Sequence, residues 1–411
     1  MASLAGPEIM EAPKNVLFRR FAVAPDCLTG CKREILATWS KPSVPSIAMD
    51  AEKADTFPSI SLDRSAPWVK LPYPAIDVAW CPFKEGNTYA AFLTACSSCP
   101  LQMWDADDAS LRASYSCDNA LGKPSSPHAL LWSRCHTFLA GGYGGTCDRI
   151  HVRLYDVLRE GDTVLSSYCS PCSKGIVSAL SDGPPPYGEE MMLAGFIRSG
   201  NVDVIDTRHF GAAAVLRGLR SGVAQIQVHP TLEYLVFAAG RLGDNRIVCW
   251  DIRKSNQIFA TFDRKVSTQQ TAFFGLMLPR GTGGRRTCLV SATHDGGVLV
   301  FDDVFVAREP RRIQKSLGPT AGLSVLEDGT VIATVGERQY PVRDTYEANG
   351  GESKTNMRLA KRERAPFDDS ETETEDGFCN GEFAAGVAVF RLSLVIRMEK
   401  KKKEKKRLPH E

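Results

Sequence analysis

The stretch Arg246-Ile247-Val248-Cys249-Trp250-Asp251 is an apolar strand that ends in a bulky side chain and then an aspartate. The same shape recurs as PLQMWD ending at Asp105, HVRLYD at Asp156, NVDVID at Asp206 and GVLVFD at Asp302. A weaker copy, GVAVFR, ends at Arg391, with arginine in the aspartate's place. From Asp105 to Asp302 the spacings are 51, 50, 45 and 51 residues. A period of this size is the mark of a repeat architecture and outweighs any local signal.

Working outward, each copy follows a β-rich stretch with small residues and a turn. Examples are YAAFLTACSSCP before Met103, EYLVFAAGRLGDNR before Ile247 and TCLVSATHDG before Val298. Gly, Asn and Asp occupy the turns, where positive φ is needed. A unit of this length holds four short strands, the size of one propeller blade. No stretch has the periodicity of a long amphipathic helix. The reading is all-β: a seven-bladed WD-repeat β-propeller over 15–396, after a flexible N-terminus at 1–14. The first blade, near 16–67, is degenerate and has no clear terminal Trp-Asp. The last blade is built from 321–337 and 383–395, with the N-terminal segment expected to add a strand that closes the ring.

Between the halves of the last blade lies an insertion, 340–381, read as a disordered acidic loop. Glu363, Asp368, Asp369, Glu371, Glu373, Glu375, Asp376 and Glu382 stand there against Arg364. A basic tail, 397–411, follows the last blade. Its Lys400, Lys401, Lys402, Lys403, Lys405, Lys406 and Arg407 resemble a nuclear-import signal.

The 411 residues are 43% hydrophobic and 24% charged, an ordinary globular mix. Fifty Lys and Arg against 48 Asp and Glu give +2, which taken as an average excludes a strongly basic nucleic-acid coat protein and an acidic chaperone-like chain. By segment the picture differs: from 208 to 315 there are 16 Lys/Arg and 8 Asp/Glu. No apolar run approaches the roughly 18 residues that cross a bilayer, so no membrane partner is expected. MASLAGPEIMEAPK has an early Glu, two Pro and no apolar core, unlike a secretory signal. Thirteen cysteines without such a signal suit reduced thiols.

Trp104, Asp105, Asp156, Asp206, His229, Trp250, Asp251, Arg253 and Asp302 are read as structural blade residues. The Gly-His pair common in WD repeats is nearly absent, so the hydrogen-bond network inside the blades is expected to be incomplete. Two CxxC pairs, Cys96/Cys99 and Cys169/Cys172, lie on different blades without paired histidines, so a zinc site is not favoured. GxSxG, HExxH and GxxxxGK[ST] are missing. The expectation is a protein that is not an enzyme and needs no metal or cofactor. Arginines in inter-strand loops are the informative signal, because sequence-distant loops of a propeller meet on its faces and forked guanidinium donors suit phosphate. Arg217, Arg220, Arg241, Arg264, Lys265 and Gln269 are the RNA-contact candidates.

These residues also carry a resemblance. Cys27–Cys31, PLQMWDA, Leu111-Arg112-Ala113-Ser114-Tyr115, His229-Pro230 with Cys249-Trp250-Asp251-Ile252-Arg253, and above all Arg264-Lys265-Val266-Ser267-Thr268-Gln269-Gln270 with Phe273-Phe274 resemble the telomerase Cajal body protein family. The resemblance covers about 21–395 and includes the acidic loop. It implies a WD-repeat scaffold that binds telomerase RNA or a box H/ACA small nuclear RNA. It also implies telomerase and H/ACA ribonucleoprotein subunits as partners, a chaperonin for folding, and residence in the nucleus at a Cajal body or equivalent body. The alternative is a generic WD-repeat protein–protein adaptor without RNA binding.

Overall fold

A computed structural model describes 8–11, 18–24, 32–50, 59–62, 68–82, 91–119, 121–133, 136–143, 150–184, 190–279, 286–306, 309–314, 317–326, 328–336 and 386–392. Seven antiparallel four-stranded sheets follow one another along the chain, with a short two-stranded ribbon, Ser43–Val44 against Val69–Lys70, beside the first. They are the seven blades of a β-propeller. The second blade is Ala75–Trp80, Ala91–Cys96, Leu101–Asp105 and Leu111–Tyr115, and the next four repeat this order. The first strand of each blade packs against the first strands of both neighbours, from Phe18–Val23 round to Thr320–Val325 and back. That closed ring of first strands is the axis of the propeller.

The ring closes through the N-terminus. The last blade takes Thr320–Val325, Thr330–Val335 and Gly386–Arg391 from the end of the chain, and Glu8–Glu11 supplies its outer strand. Pairing runs from Glu8 opposite Val389 to Glu11 opposite Gly386. Within the 1–14 segment, the strand Glu8–Glu11 satisfies the backbone of an edge that would otherwise be open. The insertion at 340–381 and the tail at 397–411 lie outside the described residues.

The buried side chains form seven clusters, one at each blade–blade interface. The closing interface joins Phe18, Ile35 and Trp39 of the first blade to Ile332, Val387 and Val389 of the last, with Met10 of the N-terminal strand packed on it. Trp250 is fully buried between the fourth and fifth blades. Trp104 packs against the core between the first and second, donating its indole N–H to Thr94 Oγ1 at 2.9 Å. Large flat side chains suit this role because each inter-sheet gap must be filled to crystal-like density.

Every recurrent strand end sits at the end of its blade's third strand. Asp105, Asp156, Asp206 and Asp251 each accept the amide two residues on, at 2.8, 2.9, 2.9 and 3.0 Å, and so cap the turn to the fourth strand. Each also holds an arginine: Arg112, Arg159, Arg208 and Arg253 respectively. In the sixth blade the two jobs are divided. Asp303 caps Phe305, and Asp302 pairs with Arg311 at 2.8 Å. Arg253 also lies 3.5 Å over the Tyr234 ring, which fixes its guanidinium from a second side. The degenerate first blade has the same ending: its third strand, Ser46–Asp50, stops at Asp50, 55 residues before Asp105.

The expected gap in the intrablade network is filled by other residues. In the fifth blade the buried Asp244 accepts the Arg220 amide at 2.6 Å and Arg246 Nε at 2.8 Å, while Trp250 Nε1 donates to the Arg217 carbonyl at 2.9 Å. In the fourth, Asp203 accepts Tyr168 Oη and Ser173 Oγ. His229 is completely buried. Its Nδ1 accepts the Thr231 and Leu232 amides, and its Nε2 meets Thr287 Oγ1 of the next blade at 2.7 Å. Burial lowers its pKa to about 4, so the ring is neutral.

Candidate nucleic-acid interface

Alternating strand direction sorts the loops into two ends. Loops after the second and fourth strands leave one end of each blade; loops after the first and third leave the other. The described loops of the first kind carry ten Lys/Arg and three Asp/Glu. Those of the second kind carry five and ten. Among the described residues the loop charges are therefore strongly separated, basic at one end and acidic at the other.

The basic end is densest where the fifth and sixth blades meet. Three loops, 217–222, 241–245 and 264–273, are joined there by hydrogen bonds. The Arg241 amide donates to the Gly222 carbonyl at 2.9 Å, and Ser221 Oγ to the Arg241 carbonyl at 2.9 Å. The Arg264 and Val266 amides bond to Asn245, at its carbonyl and its Oδ1. Gly222 allows the first loop to lie flat: a Cβ there would sit 2.2 Å from the Ile197 carbonyl oxygen. The cluster brings together five of the six candidates. Arg217, Arg220, Lys265 and Gln269 are exposed and Arg241 is half-buried. Among the described residues no carboxylate pairs with Arg217, Arg220, Arg241 or Lys265. Burial lowers the pKa of Arg241, as expected of a cation partly stripped of water.

Arg264 differs from the other five candidates in being buried. It is 5% exposed, and its guanidinium donates to the Ala272 carbonyl at 2.7 Å and the Gly240 carbonyl at 3.0 Å. It ties the 264–273 loop to the blade and is not displayed at the surface. The wider set of loop arginines also divides. Arg246 and Arg312 are held by Asp244 and Asp295. Arg286 and the Arg311–Asp302 pair belong to the opposite end.

Among the described residues no group of three or more His, Cys, Asp or Glu could hold a metal ion. Cys96 and Cys99 are buried free thiols, and burial pushes the Cys96 pKa up to about 12. Cys169 and Cys172 are exposed free thiols. Among the described residues no helix is long and apolar enough to cross a membrane.

Comparison with curated proteins finds relatives that share one name. The chain is 25% identical to telomerase Cajal body protein 1 of Rattus norvegicus over 277 residues, 63% of this chain and 47% of the relative. It is 28% identical to the Homo sapiens protein of that name over 208 residues, 49% and 34% of the two chains, and 26% identical to that of Bos taurus over 253 residues, 59% and 43%. The chain is a divergent relative of the telomerase Cajal body protein family. It spans about half the length or less of these relatives. No protein-family model matches it.

Sequence reasoning missed Lys123, Lys174 and Arg198, exposed cations on other loops of the basic end. It also missed the acidic character of the opposite end. Assigning each loop to its end by strand count, once the repeat was found, would have shown both.

Proposed function

We propose that this propeller is a non-enzymatic RNA-binding scaffold of a telomerase or box H/ACA small nuclear ribonucleoprotein, working in the nucleus at a Cajal body or equivalent body. The observation that carries the reading is the charge separation between the two ends, with its uncompensated cations concentrated on the joined loops of the fifth and sixth blades. A rigid ring holds Arg217, Arg220, Arg241 and Lys265 in a fixed array, so little conformational entropy is lost when a phosphate backbone settles on it. The names of the relatives point to telomerase and to that nuclear body. In this reading the ribonucleoprotein subunits are the protein partners, a chaperonin assists folding, and the basic tail serves import.

Crosslinking-immunoprecipitation of the full chain with RNA sequencing tests the reading. Telomerase RNA or H/ACA RNAs should be enriched over a charge-matched control; no enrichment of any RNA overturns it. In vitro, changing Arg217, Arg220 and Lys265 to Glu should lower the salt slope of single-stranded RNA binding by about 2, from roughly 0.7 per lost phosphate contact. The folded state should be retained, because all three side chains are exposed.

A further inference from the structure

Beneath the exposed Lys265 and Gln269 lies a group of donors that the fold leaves unused. His294, on the loop after the second strand of the sixth blade, is 8% exposed. Its Nδ1 accepts the Ser267 amide at 3.0 Å and the Thr268 amide at 3.3 Å. Two donors at Nδ1 require that nitrogen to be bare, so the ring proton sits on Nε2. That Nε2–H is buried without a hydrogen-bond partner. The same holds for Arg264 Nε and Gln270 Nε2. All three belong to one local assembly. Arg264 and Gln270 are on the 264–273 loop, whose backbone holds His294 in place, and the His294 amide returns a bond to the Lys265 carbonyl at 2.9 Å. Burial, and secondarily the Arg264 charge, lower the His294 pKa, which keeps the ring neutral.

Leaving one buried donor unpaired is costly, and native proteins rarely do it. Three unpaired donor atoms, beside a guanidinium that no carboxylate pairs with among the described residues, describe a seat for an acceptor from outside the chain. We propose that this seat, formed by Arg264, His294 and Gln270, receives a donor-free acceptor group of an RNA nucleotide. This rests on the RNA-binding reading and deepens it, because the exposed cations hold the backbone while the seat reads one group. Two such groups present adjacent acceptors well suited to a fork of donors: the N7/O6 edge of guanine and the oxygens of a phosphate. Gln270 is half-buried and next in sequence to the exposed Gln269, while Arg264 and His294 are buried, so Gln270 is the side chain that must turn to admit the group.

Two substitutions test this without removing the fold. In His294→Asn the amide oxygen can still accept the Ser267 and Thr268 amides, but the Nε2–H is gone. In Gln270→Glu a carboxylate is supplied from within the chain. The full-length protein is titrated with fluorescent 12-nucleotide RNAs: all-adenine, all-uracil, all-cytosine, adenine with one central guanine, and the same with 7-deazaguanine. Gln270→Glu should raise the urea midpoint, because the new carboxylate satisfies the orphaned donors, and should weaken RNA binding by about fivefold or more. His294→Asn should weaken binding with little change in midpoint. A loss confined to the guanine probe, and mimicked by 7-deazaguanine, assigns the seat to the base edge. An equal loss on every probe assigns it to phosphate. Wild-type affinity of both variants on all probes overturns the seat and leaves the RNA reading intact. Failure of the unsubstituted protein to bind any probe overturns both.

Discussion

Substituting His229 by Asn should flatten the acid side of the stability profile of this propeller. In the native fold His229 is fully buried, and its Nδ1 caps the turn at Thr231 and Leu232 while its Nε2 reaches Thr287 of the next blade. Burial holds its pKa at about 4, below the ordinary value of 6.5. A depressed histidine pKa means that the unfolded chain takes up the proton first. Stability is complete above 6.5 and is lost as pH falls from there toward 4. Between pH 7.5 and pH 5.0 this one ring should cost about 2 kcal/mol, from the linkage of those two pKa values. Asparagine can keep the local cap through Oδ1 but cannot reach Thr287 or take up a proton. The variant should therefore start about 1 kcal/mol less stable at pH 7.5, for the lost interblade bond. It should then fall about 2 kcal/mol less than wild type on acidification. Urea unfolding followed by tryptophan fluorescence at pH 7.5, 6.5 and 5.0 measures both quantities. Identical slopes with pH for the two proteins would refute the argument. Burial also lowers His128 and His294, so the parent profile should keep some acid sensitivity even in the variant.

Other consequences are open to the same measurement. Asp206→Ala and Asp251→Ala each remove a turn cap with its arginine, and each should lower the urea midpoint. They lie on different blades, so the double variant should be additive within about 0.5 kcal/mol. Gly222→Ala should cost about 1–3 kcal/mol, because its methyl would press on the Ile197 carbonyl; an unchanged urea midpoint would refute the close approach. Deleting residues 8–11 should open the ring at the last blade and broaden the unfolding transition, with self-association visible by size-exclusion chromatography as the strand Gly386–Arg391 loses its partner.

The repeat was legible because strand alternation and the capping aspartate both leave marks in sequence. Each Asp ends a third strand, and even the first blade carries the mark at Asp50, obscured because Met49 replaces the aromatic. Ring closure was legible for the same reason, since a last blade with three strands needs a fourth. The candidate site was legible as a region but not residue by residue. Ala260, Phe262, Arg264 and Val266 all point inward, so the alternation of the strand Ile258–Asp263 continues beyond its end and carries Arg264 into the core while Lys265 faces out. Parity along that stretch distinguishes the two neighbours, whereas the type of charge does not. The arginine partners of the capping aspartates left a weaker mark. They stand two, three, seven or nine residues away, depending on turn length and on whether the partner lies in the turn or on the fourth strand.

The capping aspartates also shape the electrostatics of the whole ring. A blade that ends its third strand in Asp places a carboxylate at the same end each time, in every blade but the last, which ends in Arg391. The arginines at that end are largely taken up by them, as Arg208, Arg253 and Arg311 are. Among the described residues the loops after the second and fourth strands carry Asp118, Asp244 and Asp295; Asp244 and Asp295 hold Arg246 and Arg312, while Arg217, Arg220, Arg241 and Lys265 pair with no carboxylate and keep their field. The motif that builds the blade thus leaves one end of the propeller free to attract a polyanion while the other repels it. In the RNA-binding reading proposed above, orientation on an RNA would follow from long-range charge, before any base is touched. Charge of that kind cannot distinguish one RNA sequence from another. Discrimination has to come from groups with fixed direction and an unmet hydrogen bond, and on this face the described residues offer them beneath the 264–273 loop, at Arg264, Gln270 and His294.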